Sequence, residues 1–496
     1  MTGDCDVLVV GLGPVGAALS ALLVRRGVRV IAIDRDTDVY PLPRAAHFDH
    51  EIMRLFQQLG IADDVLEHSR AAPAYEFRSA KGEILLRFEL GSTSPSGWPA
   101  SFMFHQPAVE HALRAKLAAN ADMRLGWRFE TFAPLEDGLS VTLSGSGGRE
   151  TLETRYLVGC DGASSAVRAA CGIGLTDFAF DEPWLVIDAI VGEGAVLPDV
   201  NLQICDPARP TTCVLMGPGR HRWEFMLKPH ETPDAMLEDG TIAKLLEPWG
   251  CRDAIIIDRK AVYRFHGLIA EQWRRGRVLL AGDAAHQMPP FAGQGMCSGL
   301  RDAANLAWKL AAVLHGEANE AVLDTYQTER EPHVRAILES SMAMGRVVCT
   351  LDAGMAQARD AGMLAERAAG RAPVAPASPA LGRGLTTCEA PAGNLFVQPW
   401  GERNEEVVRF DDAMPDGAWI VTRKKPNSEG AMPKGITLAW TGEPHLAPFA
   451  AQLESWLDRH GAEAVLVRPD RYIFGVGDAQ DLAAKFRAGL SRSSFA

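Results

Sequence analysis

The apolar run Asp6 to Val10 (DVLVV) predicts a short strand, and the Ala/Leu-rich stretch that follows it to Arg26 predicts a helix. Gly27 ends that helix, and Val28 to Ile33 (VRVIAI) predicts a second strand. Strand, helix and strand in this order are the pattern of an α/β fold. Tyr75 to Leu90 instead alternates in polarity around a Lys81-Gly82 turn, which predicts a hairpin. A second strand-rich segment runs from about Pro183 to Phe265 and includes LVIDAIV, TTCVLMG and RWEFMLK, so the two segments together suggest an antiparallel sheet. Further on, VLLA predicts a strand ahead of Gly282, and Gly293-Gln294-Gly295 opens a helix running through Ala304 to Leu310. The Pro/Ala-rich stretch RAPVAPASPALGRG, residues 371 to 384, marks a linker. No internal repeat is present.

Length and charge narrow the function. The chain has 496 residues, which at ~150 residues per domain gives about three domains. Fifty Lys and Arg against 63 Asp and Glu leave a net charge of −13, so nucleic acid is not expected as a partner. Apolar residues at 47% and charged residues at 23% exclude global disorder. The nine cysteines are scattered without a C-x-x-C or a zinc spacing, so no metal site is expected and the thiols read as reduced and cytoplasmic. The start MTGDCDVLVVGLG is acidic where a secretory leader would be basic, and no apolar stretch approaches the ~20 residues of a membrane helix.

The first turn carries the chemistry. Gly11-Leu12-Gly13-Pro14-Val15-Gly16 lies between strand and helix, where a dinucleotide fold places its phosphate loop. Gly11 permits the tight turn, Gly13 lets backbone approach a pyrophosphate, and Gly16 lets the helix pack on the strand. Asp34, followed by Arg35, closes the second strand where a carboxylate can accept from ribose hydroxyls. An acid there suits FAD or NAD better than NADP.

Two later segments resemble the class A flavoprotein monooxygenases, the p-hydroxybenzoate hydroxylase family. Tyr156 to Arg168 (YLVGCDGASSAVR) looks like the D-G-x-x-S-x-x-R element of that family, with Asp161, Gly162, Ser165 and Arg168 in place. Arg277 to Leu310 (RVLLAGDAAHQMPPFAGQGMCSGLRDAANLAWKL) resembles its second flavin motif, with Gly282 and Asp283 beside the ribityl chain. The resemblance also implies that Pro290, Gly293, Gln294, Gly295 and Met296 meet the flavin, that Arg44 lies along the pyrophosphate, and that Gln106 lies beside the ribityl chain. Residues 43 to 60 and 262 to 296 look most like the 3-(3-hydroxyphenyl)propionate hydroxylase branch.

The fold implied is α/β: a Rossmann-like FAD-binding domain with a mixed, glutathione-reductase-like sheet (residues 1–70, 100–180 and 275–360), an antiparallel-sheet substrate domain (71–99 and 181–274), a linker (361–384) and a C-terminal thioredoxin-like domain (385–496). That last domain has no cysteine after Cys388, so its expected part is packing or the contact of a homodimer. The reaction implied is hydroxylation of a small phenolic substrate, such as a 3-hydroxyphenylpropionate-like acid, with FAD, NADH or NADPH, and O2, through a flavin hydroperoxide. Candidate catalytic residues are His47, Tyr263 and Pro290, with His266 as an alternative to Tyr263. Candidate substrate contacts are Gln203, Arg222, Trp223 and Phe291, Arg222 being the partner for a substrate carboxylate. His286 reads as a structural histidine capping its turn. The alternatives are a flavin monooxygenase acting on a polycyclic or alkene substrate and a redox-inactive flavin-binding regulator.

Overall fold

The computed structural model describes residues 3–42, 44–90, 94–371, 378–425 and 432–495. The first sheet has a parallel core of Val278–Leu280, Gly148–Gly159, Cys5–Val10, Val30–Asp34 and Asp122–Leu125, in that spatial order. Trp127–Leu135 and Gly138–Gly145 extend it as antiparallel strands, so the sheet is mixed. Val7, Leu8 and Val9 are fully shielded from solvent. Burial on both faces is why this strand reads as one apolar run without alternation. The helix Pro14–Arg25 packs against both this sheet and the helix Gly295–Leu314.

The second sheet has eight strands, running from His286–Gln287 through Ile255–Ala270, Leu175–Val191, Arg220–Met226, Thr211–Leu215, Asn201–Cys205 and Ala74–Ser79 to Ile84–Glu89. The hairpin forms as its alternation requires, with Tyr75 opposite Phe88. The sheet is not purely antiparallel, because Asn201–Cys205 lies parallel to Ala74–Ser79. These two strands are far apart in sequence, and the intervening chain is long enough to return in the same direction. Leu175–Val191 is one strand that crosses residues 180 and 181, with a bulge between Asp177 and Asp181 where its pairing to Ile255–Ala270 shifts register.

Side chains alternate across this sheet. Leu185, Ile187, Trp223 and Phe225 face outward and form a core with Met236, Ile242 and Leu246 from the helices that cover that side. The opposite face looks towards the first sheet.

Beyond the helix Ala353–Ala368, which occupies the start of the stretch read as linker, residues 372–377 of that linker lie outside the described residues. The C-terminal sheet has the order Ile436–Trp440, Ala418–Thr422, Ala464–Val467, Ile473–Gly477. Its first pair is parallel and the other two are antiparallel. Trp419, Val421, Trp456 and Val465 close its core against the helix Ala450–Arg459. Among the described residues no helix is long and apolar enough to cross a membrane.

Candidate active site

A cavity of about 1560 Å³ lies between the carboxyl ends of the first sheet and the inner face of the second. It exceeds the roughly 300–1,000 Å³ of a single drug-sized site, which leaves room for a large cofactor and a substrate together. Gly11, Asp34, Cys160 and Ala281 all line it, each just beyond or at the end of a parallel strand. In open α/β sheets this is the edge where ligands bind.

The three glycines of the turn divide their tasks. Gly11 has φ +98°, and a Cβ there would lie 2.4 Å from the Cys160 carbonyl oxygen. A Cβ on Gly16 would lie 1.9 Å from the Gly11 carbonyl oxygen, so this glycine serves helix packing and does not reach the cavity wall. A Cβ on Gly13 would meet nothing within 4 Å, and this glycine lines the cavity with Pro14 and Val15. Such an open cradle at a helix start fits a pyrophosphate. Asp34 also lines it, and its carboxylate accepts from the Leu12 backbone N–H at 2.7 Å, tying the second strand to the turn. Arg35 stands next to it on the same wall.

Asp161 and Asp283 face the cavity from the two later motifs. Asp161 accepts from the Ser165 hydroxyl at 2.5 Å and from the Val167 N–H at 3.1 Å. Asp283 lies 3.5 Å from Arg44, which brings the loop after the second strand against the second motif. Arg168 corrects the sequence reading, since it is buried and does not line the cavity. It donates to the Ala163 carbonyl at 2.7 Å and to the Ala284 carbonyl at 2.9 Å, so it joins the Asp161 and Asp283 loops from behind. Gly282 is likewise behind the wall, where a Cβ would come within 3.0 Å of Val15. Gln106 lines the cavity, and its side-chain carbonyl accepts from the Ala45 N–H at 2.7 Å.

Gly293, Gln294, Gly295 and Met296 form the wall at the start of the helix Gly295–Leu314. The free N–H groups and positive dipole end there favour negative charge. His47 lines the same region with its Nδ1 3.0 Å from the Gly293 carbonyl oxygen, and burial lowers its pKa, favouring the neutral ring. A neutral imidazole donating from Nδ1 holds this loop in place. Pro290 and Phe291 continue the wall. His286 does not reach the cavity; its Nε2 lies 2.6 Å from Asp302, whose pKa burial would raise but His286 and Arg330 hold down.

The second sheet supplies the opposite wall. Gln203, Thr212, Glu224 and Val186 are paired neighbours in one row across four strands, and all four line the cavity. Thr212 donates to Gln203 at 2.7 Å, Gln203 donates to the Tyr75 oxygen at 2.6 Å, and Tyr75 donates to the Phe291 carbonyl at 3.0 Å. Tyr263 and His266 also line the cavity. The Tyr263 hydroxyl is buried without a partner among the described residues, and burial moves its pKa up to about 12.

Two expected substrate contacts need correction. Trp223 has no exposed surface and faces the outer core, packing edge-on against Trp249. Adjacent strand residues point to opposite faces, so Arg222 and Trp223 cannot share one wall. Arg222 does line the cavity, but its Nε and Nη2 bind Asp188 at 2.6 and 3.0 Å and its Nη1 donates to the Arg44 carbonyl. A guanidinium engaged this way has little left for a substrate carboxylate. Tyr75, Thr212 and Glu224 were missed. The segment RHRWEFM alternates polar and apolar residues, and that period places Glu224 beside Arg222.

A cavity running without interruption from a dinucleotide turn to a polar sheet wall is what a flavoprotein oxidoreductase needs to hold its cofactor against a ring-sized substrate. Comparison with known proteins then supplies the family: a model described as FAD binding domain matches residues 4–341, and the chain belongs to this family of FAD-dependent aromatic hydroxylases. A second model, described as HcaD C-terminal domain, matches residues 444–492. A probable NADH-specific resorcinol 4-hydroxylase of Rhodococcus jostii is 38% identical over 96% of this chain and 93% of its own. A 3-(3-hydroxy-phenyl)propionate/3-hydroxycinnamic acid hydroxylase of Mycolicibacterium smegmatis is 33% identical over 96% of this chain and 91% of its own. Among solved structures, aklavinone-11 hydroxylase with FAD and aklavinone superposes with a TM-score of 0.78 at 25% identity, covering 99% of each chain. The flavin-dependent monooxygenase PieE shares the fold at 22% identity with a TM-score of 0.81, over 99% of this chain and 100% of its own.

Proposed function

We propose that this protein hydroxylates the ring of a small phenol with FAD, O2 and a nicotinamide, NADH being preferred as in the name of the resorcinol-hydroxylating relative. The observation that carries this reading is the single cavity in which the Gly13 cradle and the Tyr75–Gln203–Thr212 wall face one space. FAD supplies the electron transfer and the activation of oxygen. The chain's own residues bind, orient and enclose. Gly11, Gly13, Pro14, Val15, Asp34, Arg35 and Arg44 are assigned to the adenosine and pyrophosphate half. Gln106, Asp161, Asp283, Pro290, Gly293, Gln294, Gly295 and Met296 are assigned to the ribityl and ring half, with Arg168, Gly16 and Gly282 supporting them from behind. Tyr263 offers a free hydroxyl to the phenol oxygen, while Phe291, Phe265 and Val186 supply apolar contact to the ring. His47 positions the Gly293 carbonyl.

The division into FAD-binding, substrate and C-terminal domains is proposed on the same boundaries as above. The C-terminal strand order, with one parallel and two antiparallel pairs and a helix in the chain between Ile436–Trp440 and Ala464–Val467, supports a thioredoxin-like arrangement without its cysteines. The test of function is direct. Purified protein should be yellow, and a panel of phenols should stimulate NADH oxidation with a product one oxygen heavier. Flavin-free but folded protein, or phenol that leaves NADH and NADPH oxidation unchanged, would refute the assignment.

A further inference from the structure

The wall formed by the second sheet presents a buried carboxyl group. Glu224 is buried and lines the cavity, and among the described residues the one cation within 4 Å of its carboxylate is Arg222, with Nη1 3.6 Å from its Oε1. Among the described residues no other donor reaches its carboxylate. Arg222 is itself clamped by Asp188, which Arg259 also binds at 2.7 Å. The hydroxyl opposite Glu224 on the next strand, that of Thr212, gives its proton to Gln203. Burial raises the pKa of Glu224 although Arg222 opposes this, as expected for a carboxylate whose single cation is shared. The other cation of this sheet that lines the cavity, Arg264, is paired with Asp181 at 2.8 Å, and both are more than half exposed.

A substrate carboxylate placed against this wall would lie near Glu224 without a free buried cation to neutralise it. An O–H group would instead meet a carboxyl group that, among the described residues, no donor but Arg222 approaches, and pairing a buried acceptor avoids the cost of leaving it unsatisfied. We propose that Glu224 is a specificity-determining residue that accepts a hydrogen bond from a substrate hydroxyl and selects neutral phenols over phenolic acids. Arg222 and Asp188 are positioning residues for it. This inference rests on the phenol-hydroxylase reading and narrows its substrate class.

Two probes with the same ring and different tails test it: 3-propylphenol, which is neutral, and 3-(3-hydroxyphenyl)propionate, which is anionic. Resorcinol serves as a second neutral probe. Binding is read from the flavin absorbance change of the holoenzyme, and turnover from stimulated NADH oxidation with product mass. Wild type should bind both neutral phenols at least tenfold more tightly than the acid. E224Q should retain FAD, raise KM for the neutral phenols severalfold, and shrink the neutral-to-acid ratio. Equal binding of neutral and anionic probes by wild type, or an unchanged ratio in E224Q, overturns the proposal. R264A separates the rival: selective loss of acid binding in that variant, with wild type accepting the acid well, would assign the anion site to Arg264 and refute the role of Glu224. If E224Q does not fold, the matched wild-type pair still decides. If phenols of both charges are hydroxylated without discrimination, only this inference fails; if none is hydroxylated, the functional reading fails with it.

Discussion

Arg468, which follows a strand of the C-terminal sheet, binds Glu329 of the helix Thr325–Val348 through two contacts, Nη1 at 2.9 Å and Nη2 at 2.8 Å, with both side chains fully buried. Glu329 also accepts from Lys309 at 2.7 Å, Asn305 at 2.8 Å and the Leu385 N–H at 2.7 Å. One carboxylate thus holds the helix Gly295–Leu314, which starts at the cavity, to Leu385 and to the C-terminal sheet. Removing one member of a buried pair leaves uncompensated charge and costs about 3–5 kcal/mol. Glu329→Ala should lose about that much stability in urea unfolding followed by tryptophan fluorescence. A loss under about 1 kcal/mol would show that the network adds little.

The same group sets an acid limit. Burial alone would raise the pKa of Glu329, but Arg468 and Lys309 overcome it and hold the carboxyl below its usual range. A depressed folded pKa means stability that is complete above the unfolded value, about 4.3, and is lost as pH falls below it. Asp302 is depressed through His286 and Arg330 and adds a loss of the same sign, from about 3.9 downwards. Unfolding free energy measured between pH 7 and pH 3 should therefore fall on the acid side, and the fall should be shallower in Glu329→Gln. Identical slopes in the two proteins would contradict this.

The glycine turn offers a contrast within six residues. Gly16→Ala would press a methyl group 1.9 Å from the Gly11 carbonyl, so it should destabilise the fold itself, seen as a lower Tm of the flavin-free protein. Gly13→Val places its side chain in open cavity and should leave that Tm nearly unchanged while FAD binding weakens. Interchange of the two phenotypes would reverse the assigned roles.

Asp283 faces Arg44 at 3.5 Å across the cavity wall. As the proposed hydrogen-bond partner of the ribityl chain it should contribute about 1.5–3 kcal/mol, or roughly 10- to 150-fold in affinity. Asp283→Ala should lose most of its FAD on gel filtration while keeping its far-UV circular dichroism. Full flavin occupancy in this variant would remove Asp283 from the site.

The amino-acid sequence by itself determined the dinucleotide turn, both aspartate motifs and the hairpin, because each is local: a glycine spacing, a strand end or a turn within a few residues. It also carried the alternation that buries Trp223 and exposes Glu224 to the cavity, although naming two adjacent residues as one wall overrode that period. The tertiary structure alone decided which residues of the motifs are supports, since Arg168, Gly282 and His286 lie in the same motifs as Asp161 and Asp283 but face away from the cavity. It decided the parallel pairing of Asn201–Cys205 with Ala74–Ser79, a contact between distant segments that no local pattern encodes. It also decided that Arg222 is committed to Asp188 and that Glu329 is committed to Arg468, 139 positions away. Residue type states what a side chain can bind; only packing states whether a partner inside the protein has already taken it.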